Sequence, residues 1–587
     1  MSRAEILAGW AGWVSRQPTA QCVVTSQQVW RYQDLAEEAA GLHSRLGAIQ
    51  AGTGTEDGPL MVLCADRMRV IVALLACLAR CGTFVPVDVR LPPARLAAVA
   101  TALRPGVILA DAAGRDLLAA SGAAASVPVL AAESVAPQPW EAGTFLAPGE
   151  ADSSYVYFTS GTTGGPKGIR GSFAAVWHFI RWEIEQFGVD PGTGVSQLTS
   201  PGFDAFLRDV LVPLCAGGSI HISSGEEPLA GAALAHWLQD RRIALLHAVP
   251  TTFRTLQAAG LGPASLPALQ TVLLAGEPLL VSDVAWWRGL FGDGKKLVNL
   301  YGPSETTMTK VFHQVTAADA EAEVVPAGKP MPGVTVRVLA EPDAAAGTIG
   351  EVEIETPFRL GGYLGSAAGG FVGTHRYRTG DLGRIRADGN LEILGRRDQQ
   401  VKVNGVRIEL TEIENVLRSH PQVRDVCTAA MDNGAGQPVL CAYVVLYPGG
   451  AELPDSGLDA HAAAGLAPGC RPTVYVRLSS LPQTLTGKVD RRALPSLAAI
   501  ALTKHRQDPR PGLEQEIATL WTELLSVPAV GRLDDFTLLG GDSLRIARLL
   551  DRLRTRYRVE VPIQKFADDP TVAGLAVAVA AARGEDR

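Results

Sequence analysis

Residues 159–168 read Thr159-Ser160-Gly161-Thr162-Thr163-Gly164-Gly165-Pro166-Lys167-Gly168, directly after the apolar run Tyr155–Phe158. These residue types suit phosphate. Glycines let the backbone approach an anion and turn several N–H groups toward it, while the hydroxyls and the Lys167 ammonium add donors and charge. A Walker-type loop needs Gly-x-x-x-x-Gly-Lys-Ser/Thr opening a helix. Here Lys167 follows Pro166 and precedes Gly168, which predicts a different, movable loop. Encountered alone, the stretch leaves open the blander reading of a polar surface loop, though phosphate binding is the stronger one. It is followed, in order, by Phe203-Asp204, Asn299–Thr307, Tyr377–Leu382, Gly395–Lys402 and Thr486–Arg491, each with charged or hydroxyl groups beside glycine or proline, and near the C-terminus by Leu539-Gly540-Gly541-Asp542-Ser543-Leu544.

The elements that must position these groups follow from periodicity. Leu60–Cys64, a helical pattern from Val70 to Leu78 and Phe84–Val87 form a βαβ pattern. Apolar runs at Val107–Leu109, Leu245–Val249, Thr271–Ala275 and Leu297–Leu300 continue the alternation, so residues 1–397 are expected to be one α/β unit. The Ala-rich stretch 112–136 is expected to be loop and helix. From 398 to 498 the pattern shifts to short strands (Gln400–Val403, Val439–Leu446) and a helix over Leu410–Leu417, a smaller α+β unit. Residues 499–511, with the charged, proline-bearing run Lys504–Pro511, read as a linker. Leu513, Ile517, Leu520, Trp521 and Leu524, then Ile546, Leu549, Leu550 and Leu553, mark two apolar helical faces, so residues 512–583 are expected to form a small helical bundle.

Composition bounds the function. The 587 residues exceed one core, and a formal charge of -7 argues against a general nucleic-acid binder, which needs a basic face. The eight cysteines (22, 64, 77, 81, 215, 427, 441, 470) form no Cys-x-x-Cys pair, so buried free thiols in a reducing cytoplasm are expected rather than disulfides or zinc. No apolar run approaches the roughly 20 residues that span a bilayer, and the N-terminus has no signal-peptide pattern.

The ordered motifs together resemble the adenylation domains of nonribosomal peptide synthetases, within the acyl-adenylate-forming superfamily, and the Ser543 motif resembles the attachment site of a peptidyl carrier domain. The resemblance implies an amino-acid-adenylating ligase that uses ATP, Mg²⁺ and a 4′-phosphopantetheine arm on Ser543. It implies that Thr159, Ser160, Gly161, Thr162, Thr163, Gly164 and Lys167 hold the β- and γ-phosphates. Glu305, with the neighbouring hydroxyl of Thr306, holds the metal, while Tyr301 stacks on adenine with Asn299 at its edge and Gly302 belongs to the same ATP site. Asp381 faces the ribose hydroxyls, with Arg396 nearby. Lys488 bridges substrate carboxylate and phosphate, a role suited to a flexible ammonium. Asp398 is the implied hinge, about which Lys488 is exchanged for the loop carrying Lys402 and Gly405, with Asn404 standing where the family usually has arginine.

The resemblance further implies a substrate pocket lined by Asp204, Ala205, Arg208, His247, Leu273, Ala275, Leu300, Met308 and Thr309. Asp204 takes the position that pairs with an α-ammonium. Arg208 is expected either to meet an acceptor or anion on the substrate or to pair with Asp209 or another wall carboxylate, and the pocket suits a small polar amino acid, serine-like or acidic. Two rivals are a ligase of the same superfamily loading a non-amino carboxylic acid and a silent carrier scaffold. The partners implied are the amino acid, a phosphopantetheinyl transferase, downstream condensation or tailoring enzymes and a small MbtH-like helper protein. No condensation or thioesterase unit is legible in the chain.

Overall fold

The structure is a computed structural model. It describes the chain except residues 1, 54–57, 124–126, 142, 144–153, 160–165, 224–228, 340–346, 365–369, 398–399, 404, 433–437, 448–452, 483–488, 498–506, 526, 528, 537–538, 540, 542, 560, 563–564, 567–568 and 584–587.

The βαβ pattern near the N-terminus folds as read. Leu60–Leu63 pairs in parallel with Thr83–Pro86 and Val107–Ala110, all largely buried because helices cover both sheet faces. The intervening helix runs from Arg67 to Ala79, starting earlier than the apolar pattern because the Asp66 carboxylate accepts the Met68 N–H as an N-cap. The alanine-rich stretch gives a helix at Ala112–Ser121, capped by Asp111, and a short strand at Val129–Ala131. Two helices not expected from periodicity, Ser2–Arg16 and Tyr32–Thr53, pack Ile6, Leu7, Trp10, Leu35 and Leu42 into the main core.

Among the described residues the large unit holds a seven-stranded, a nine-stranded and a five-stranded sheet. The phosphate-type stretch falls at a hairpin of the seven-stranded sheet: Ser154–Thr159 runs antiparallel to Lys167–Ser172, and Thr159 and Lys167 are cross-strand partners. In the nine-stranded sheet, Leu245–Ala248, Thr271–Ala275 and Lys296–Tyr301 lie side by side in parallel. His247 is opposite Leu273 and Ala275 opposite Leu300, which puts all four on one sheet face near the carboxyl ends of the strands.

The smaller unit contains the hairpin Gln400–Val403/Val406–Glu409, the helix Leu410–Arg418 and a sheet of Val423–Asp432, Pro438–Leu446 and Val474–Arg477. Its own core gathers Ile408, Ile413, Leu417, Leu440 and Val444. The last unit packs the helices Leu513–Leu525, Ser543–Tyr557 and Val572–Ala582 around Trp521, whose ring lies 4.7 Å from that of Phe536. Arg95 pairs with Glu412 to tie large and small units, and the Ser543–Tyr557 helix approaches the Pro250–Thr255 helix of the large unit. The cysteines are free thiols, and six are buried. Among the described residues no helix is long and apolar enough to cross a membrane.

Candidate active site

Two clusters gather around the ends of these strands. The first surrounds Asp204, which stands just before the Ala205–Ala216 helix but does not cap it. Its Oδ2 instead accepts the Met308 N–H at 3.2 Å. Burial pushes the Asp204 carboxyl above the usual range, while Met308, Ser304 and Arg208 pull the other way. One helical turn on, Arg208 is 4% exposed and donates from Nε to Asp209 Oδ1 at 3.3 Å. Among the described residues that is its one hydrogen bond, and its two terminal nitrogens make none. Arg208 therefore pairs with Asp209, while its terminal nitrogens keep donors to spare among the described residues.

Asp209 also lies 3.0 Å from His247 Nδ1, while His247 Nε2 lies 2.8 Å from Glu183 Oε1. All three are fully enclosed. Burial disfavours an imidazolium, but the Glu183 charge and the two carboxylate contacts outweigh it and raise the His247 pKa. Asp209 is correspondingly held below its ordinary value, because His247 and Arg208 overcome its burial. Glu183, on the Phe173–Phe187 helix, was not among the residues expected from sequence. Its signal was present: Val176, Phe179, Ile180 and Glu183 follow helical spacing, so a lone glutamate sits on an apolar stripe. Around these charges Leu273, Leu300 and Met308 are buried and Ala205 and Ala275 half-buried. Thr309 is buried, and its hydroxyl makes no hydrogen bond among the described residues.

The second cluster surrounds Asp381 and Glu305. Asp381 and Arg396 are cross-strand partners, and Arg396 Nη1 reaches Asp381 Oδ1 at 2.6 Å. The Tyr301 hydroxyl donates to the other Asp381 oxygen. Asn299 donates from its amide to the Pro326 carbonyl at 2.9 Å, and the buried Thr306 hydroxyl donates to the Pro303 carbonyl at 2.9 Å. Gly302 is required sterically, since a Cβ there would lie 2.7 Å from the Met308 carbonyl oxygen. Glu305 is 1% exposed and accepts from Arg407 Nη1 at 2.9 and 2.8 Å and from the Tyr363 hydroxyl at 2.7 Å. Burial alone would raise its carboxyl, but Arg407 brings it below the ordinary value. Lys167 lies with its ammonium 5.8 Å from the Tyr363 ring centre.

Arg407 belongs to the small unit, so the hairpin that carries it reaches into the large unit's site. At its turn the Gly405 N–H donates to Glu277 Oε1 at 2.7 Å. Gly405 has φ +75°, and a Cβ would sit 2.5 Å from Val249 Cγ1, so only glycine fits. Lys402 is half-buried near Asp381 and Glu305, and burial lowers its pKa. Val249 immediately precedes the Pro250–Thr255 helix that the Ser543–Tyr557 helix approaches. Ser543 is the first residue of its helix. Ser160, Gly161, Thr162, Thr163, Gly164, Asp398 and Lys488 lie outside the described residues, as do the side chains of Thr159 and Ser543.

A family profile for AMP-binding enzymes matches residues 10–364, one for the AMP-binding enzyme C-terminal domain matches 412–488, and one for the phosphopantetheine attachment site matches 515–579. Syringomycin synthase SyrB1 of Pseudomonas syringae pv. syringae is 33% identical over 583 residues, covering 95% of this chain and 93% of that protein. A linear gramicidin synthase of Brevibacillus parabrevis is 34% identical over 96% of this chain, which spans only 7% of the length of that relative. Among solved structures, holo-PA1221, described as an NRPS protein containing adenylation and PCP domains, superposes with a TM-score of 0.76 at 24% identity, covering 97% of this chain and 96% of that one. The four-domain synthetase AB3403, bound to AMP and glycine, gives 0.60 at 28% identity, over 100% of this chain and 43% of that one.

Proposed function

We propose, for a chain that belongs to the AMP-binding enzyme family and to its nonribosomal peptide synthetase adenylation-and-carrier units, that it activates a small polar amino acid and loads it onto its own carrier domain. In the first half-reaction a carboxylate oxygen attacks the α-phosphorus of ATP, and the bond to pyrophosphate breaks. In the second, a phosphopantetheine arm held on Ser543 would supply the thiol that takes the acyl group, with AMP as the leaving group. The first step brings anions together, so the site must supply cations and aimed donors.

The observation that carries the amino-acid reading is Asp204. It is a carboxylate at a helix N-terminus, held by the Met308 N–H beside the pocket walls, with no cation hydrogen-bonded to it among the described residues. A substrate α-ammonium supplies that cation. The polar side-chain reading rests on the terminal nitrogens of Arg208 and the Thr309 hydroxyl, which have no hydrogen-bond partner among the described residues and favour a substrate with a hydrogen-bond acceptor. His247 contributes differently from a free imidazole. With both nitrogens facing carboxylates, it neutralises Glu183 and Asp209 and leaves no lone pair for the substrate.

The family uses ATP, Mg²⁺ and 4′-phosphopantetheine. Glu305 offers hard oxygens suited to Mg²⁺ together with phosphates. Arg407 occupies both oxygens in this arrangement, so Arg407 and the metal would take turns. We therefore assign the docked Gly405 loop to the thiol-accepting half-reaction and Lys488 to the first. Asp381 and Arg396 would hold ribose and Tyr301 the adenine. We divide the chain at 397/398, 498/499 and 511/512, each unit having its own core. A phosphopantetheinyl transferase modifies the carrier, and condensation or tailoring enzymes act on the loaded amino acid. The buried free thiols favour the cytoplasm, and a small MbtH-like helper is a further candidate partner.

The test is amino-acid-dependent ATP–pyrophosphate exchange over a panel of amino acids and amine-free carboxylic acids. Small polar or acidic amino acids are expected to lead. Preference for a large apolar amino acid overturns the side-chain assignment, and preference for an amine-free acid overturns the role of Asp204.

A further inference from the structure

Lys310 lies directly behind the predicted pocket residues and was assigned no role by its motif. Its side chain is completely buried, an unusual place for an ammonium. Among the described residues Nζ makes one hydrogen bond, to the Thr307 carbonyl at 2.8 Å. That bond closes an unusual turn. Thr307 and Met308 both have left-handed backbones, with φ of +66° and +56°, a conformation that non-glycine residues adopt in succession only when their surroundings enforce it.

Three contacts supply the enforcement. Lys310 donates to the Thr307 carbonyl, the Tyr155 hydroxyl donates to Thr307 Oγ1 at 3.3 Å, and Asp204 accepts the Met308 N–H at 3.2 Å. The Lys310 backbone is itself anchored at both ends, its N–H donating to the Tyr301 carbonyl and its carbonyl accepting from Met331, each at 2.9 Å. The turn thus links one buried cation to the carboxylate read above as the amino-group receptor. Lys310 also acts on Asp204 through space. The charged or titratable groups facing Asp204 are Arg208 from its own helix, Lys310, and the phenols of Tyr155 and Tyr157. Facing Lys310 are Asp204 and His178, the latter stacked on Phe358 and bonded to the Pro332 carbonyl. Burial brings the Lys310 pKa down to about 7, with Asp204 opposing. An apolar side chain would fill this site without that desolvation cost.

We propose that Lys310 is a positioning residue for amino-acid recognition, pinning the strained Thr307–Met308 turn that aims an N–H at Asp204 and keeping Asp204 ionised for the incoming ammonium. The role rests on the amino-acid reading of the site and extends it to a residue outside the pocket lining.

The test compares wild type with Lys310→Met and Lys310→Gln in ATP–pyrophosphate exchange between pH 6 and 9, over the same panel of amino acids and amine-free acids, with thermal melts alongside. Lys310→Met removes both pin and charge. It is expected to melt no lower than wild type, to raise KM for the preferred amino acid about tenfold with KM for ATP within about twofold, and to move the acid limb of kcat/KM to higher pH. The sign follows because loss of a nearby cation raises the Asp204 pKa further, so ionisation is lost at higher pH as acid is added. Lys310→Gln keeps a donor without charge and is expected to recover part of the KM while the acid limb stays shifted. A purely structural lysine would leave the acid limb where it is. An unchanged amino-acid KM and acid limb in both variants overturns the role of Lys310 alone. A wild type that turns over only amine-free acids, or none, overturns the amino-acid reading and this role with it.

Discussion

At the scale of single residues, Asp204 accepts a backbone N–H but has no cation hydrogen-bonded to it among the described residues, and that marks where the substrate ammonium is expected. Asp204→Ala is expected to lower kcat/KM for the preferred amino acid by about 10²-fold, the size of a lost charge-assisted hydrogen bond of about 3 kcal/mol, measured by exchange. Undiminished activity would mean that the substrate carries no amine. Glu183 makes the opposite case, a residue whose work is done on another side chain. Glu183→Gln removes the charge that sustains the His247 imidazolium and should cost about 3 kcal/mol of stability near pH 6. Because His247 is raised in the folded state, the stabilisation is full below its unfolded pKa of about 6.5 and fades as pH rises through the higher folded value. The difference in melting temperature between wild type and variant should accordingly narrow as pH rises, and a constant gap would contradict the ion-pair assignment.

At the scale of elements, the hairpin Gln400–Val403/Val406–Glu409 decides which half-reaction the site serves. Its glycine is packed against Val249 and its arginine clamps Glu305, so the hairpin both occupies space and neutralises the carboxylate assigned to the metal. Gly405→Leu combines a left-handed φ with a clash, each worth about 1–3 kcal/mol, and should depress loading of the carrier far more than ATP–pyrophosphate exchange. Equal losses in the two assays would contradict the assignment of this hairpin to the second step. Sequence made many of these elements legible. Apolar runs located the strands bearing His247, Leu273, Ala275 and Leu300, because parallel strands covered on both faces read as unbroken hydrophobic stretches. The helices Ser2–Arg16 and Tyr32–Thr53 escaped, since alanine-rich and mixed faces blur helical periodicity. Motifs singled out Asp204, Glu305 and Asp381, but not Glu183, Glu277 or Lys310. Glu277 and Lys310 act across a long sequence separation or within a turn, where spacing carries no signal, whereas Glu183 stands on an apolar helical stripe where spacing does.

At the scale of the whole molecule, the units are arranged around one transfer. The large unit holds both charged clusters, the small unit's hairpin enters beside Glu277, and the helix that begins at Ser543 approaches the Pro250–Thr255 helix next to it. Such an arrangement has a purpose only if what is activated in the large unit is passed to the helical one. The most direct test is intact-protein mass spectrometry after treatment with a phosphopantetheinyl transferase and coenzyme A, followed by ATP, Mg²⁺ and the panel of acids. The account predicts a phosphopantetheine mass increment and then a second increment equal to a small polar or acidic amino acid residue. Both should vanish in Ser543→Ala, while Asp204→Ala should take the arm normally and gain the second increment about 10²-fold more slowly. A chain that accepts the arm yet gains no amino acid from the panel, or that is loaded equally well in Ser543→Ala, would contradict it.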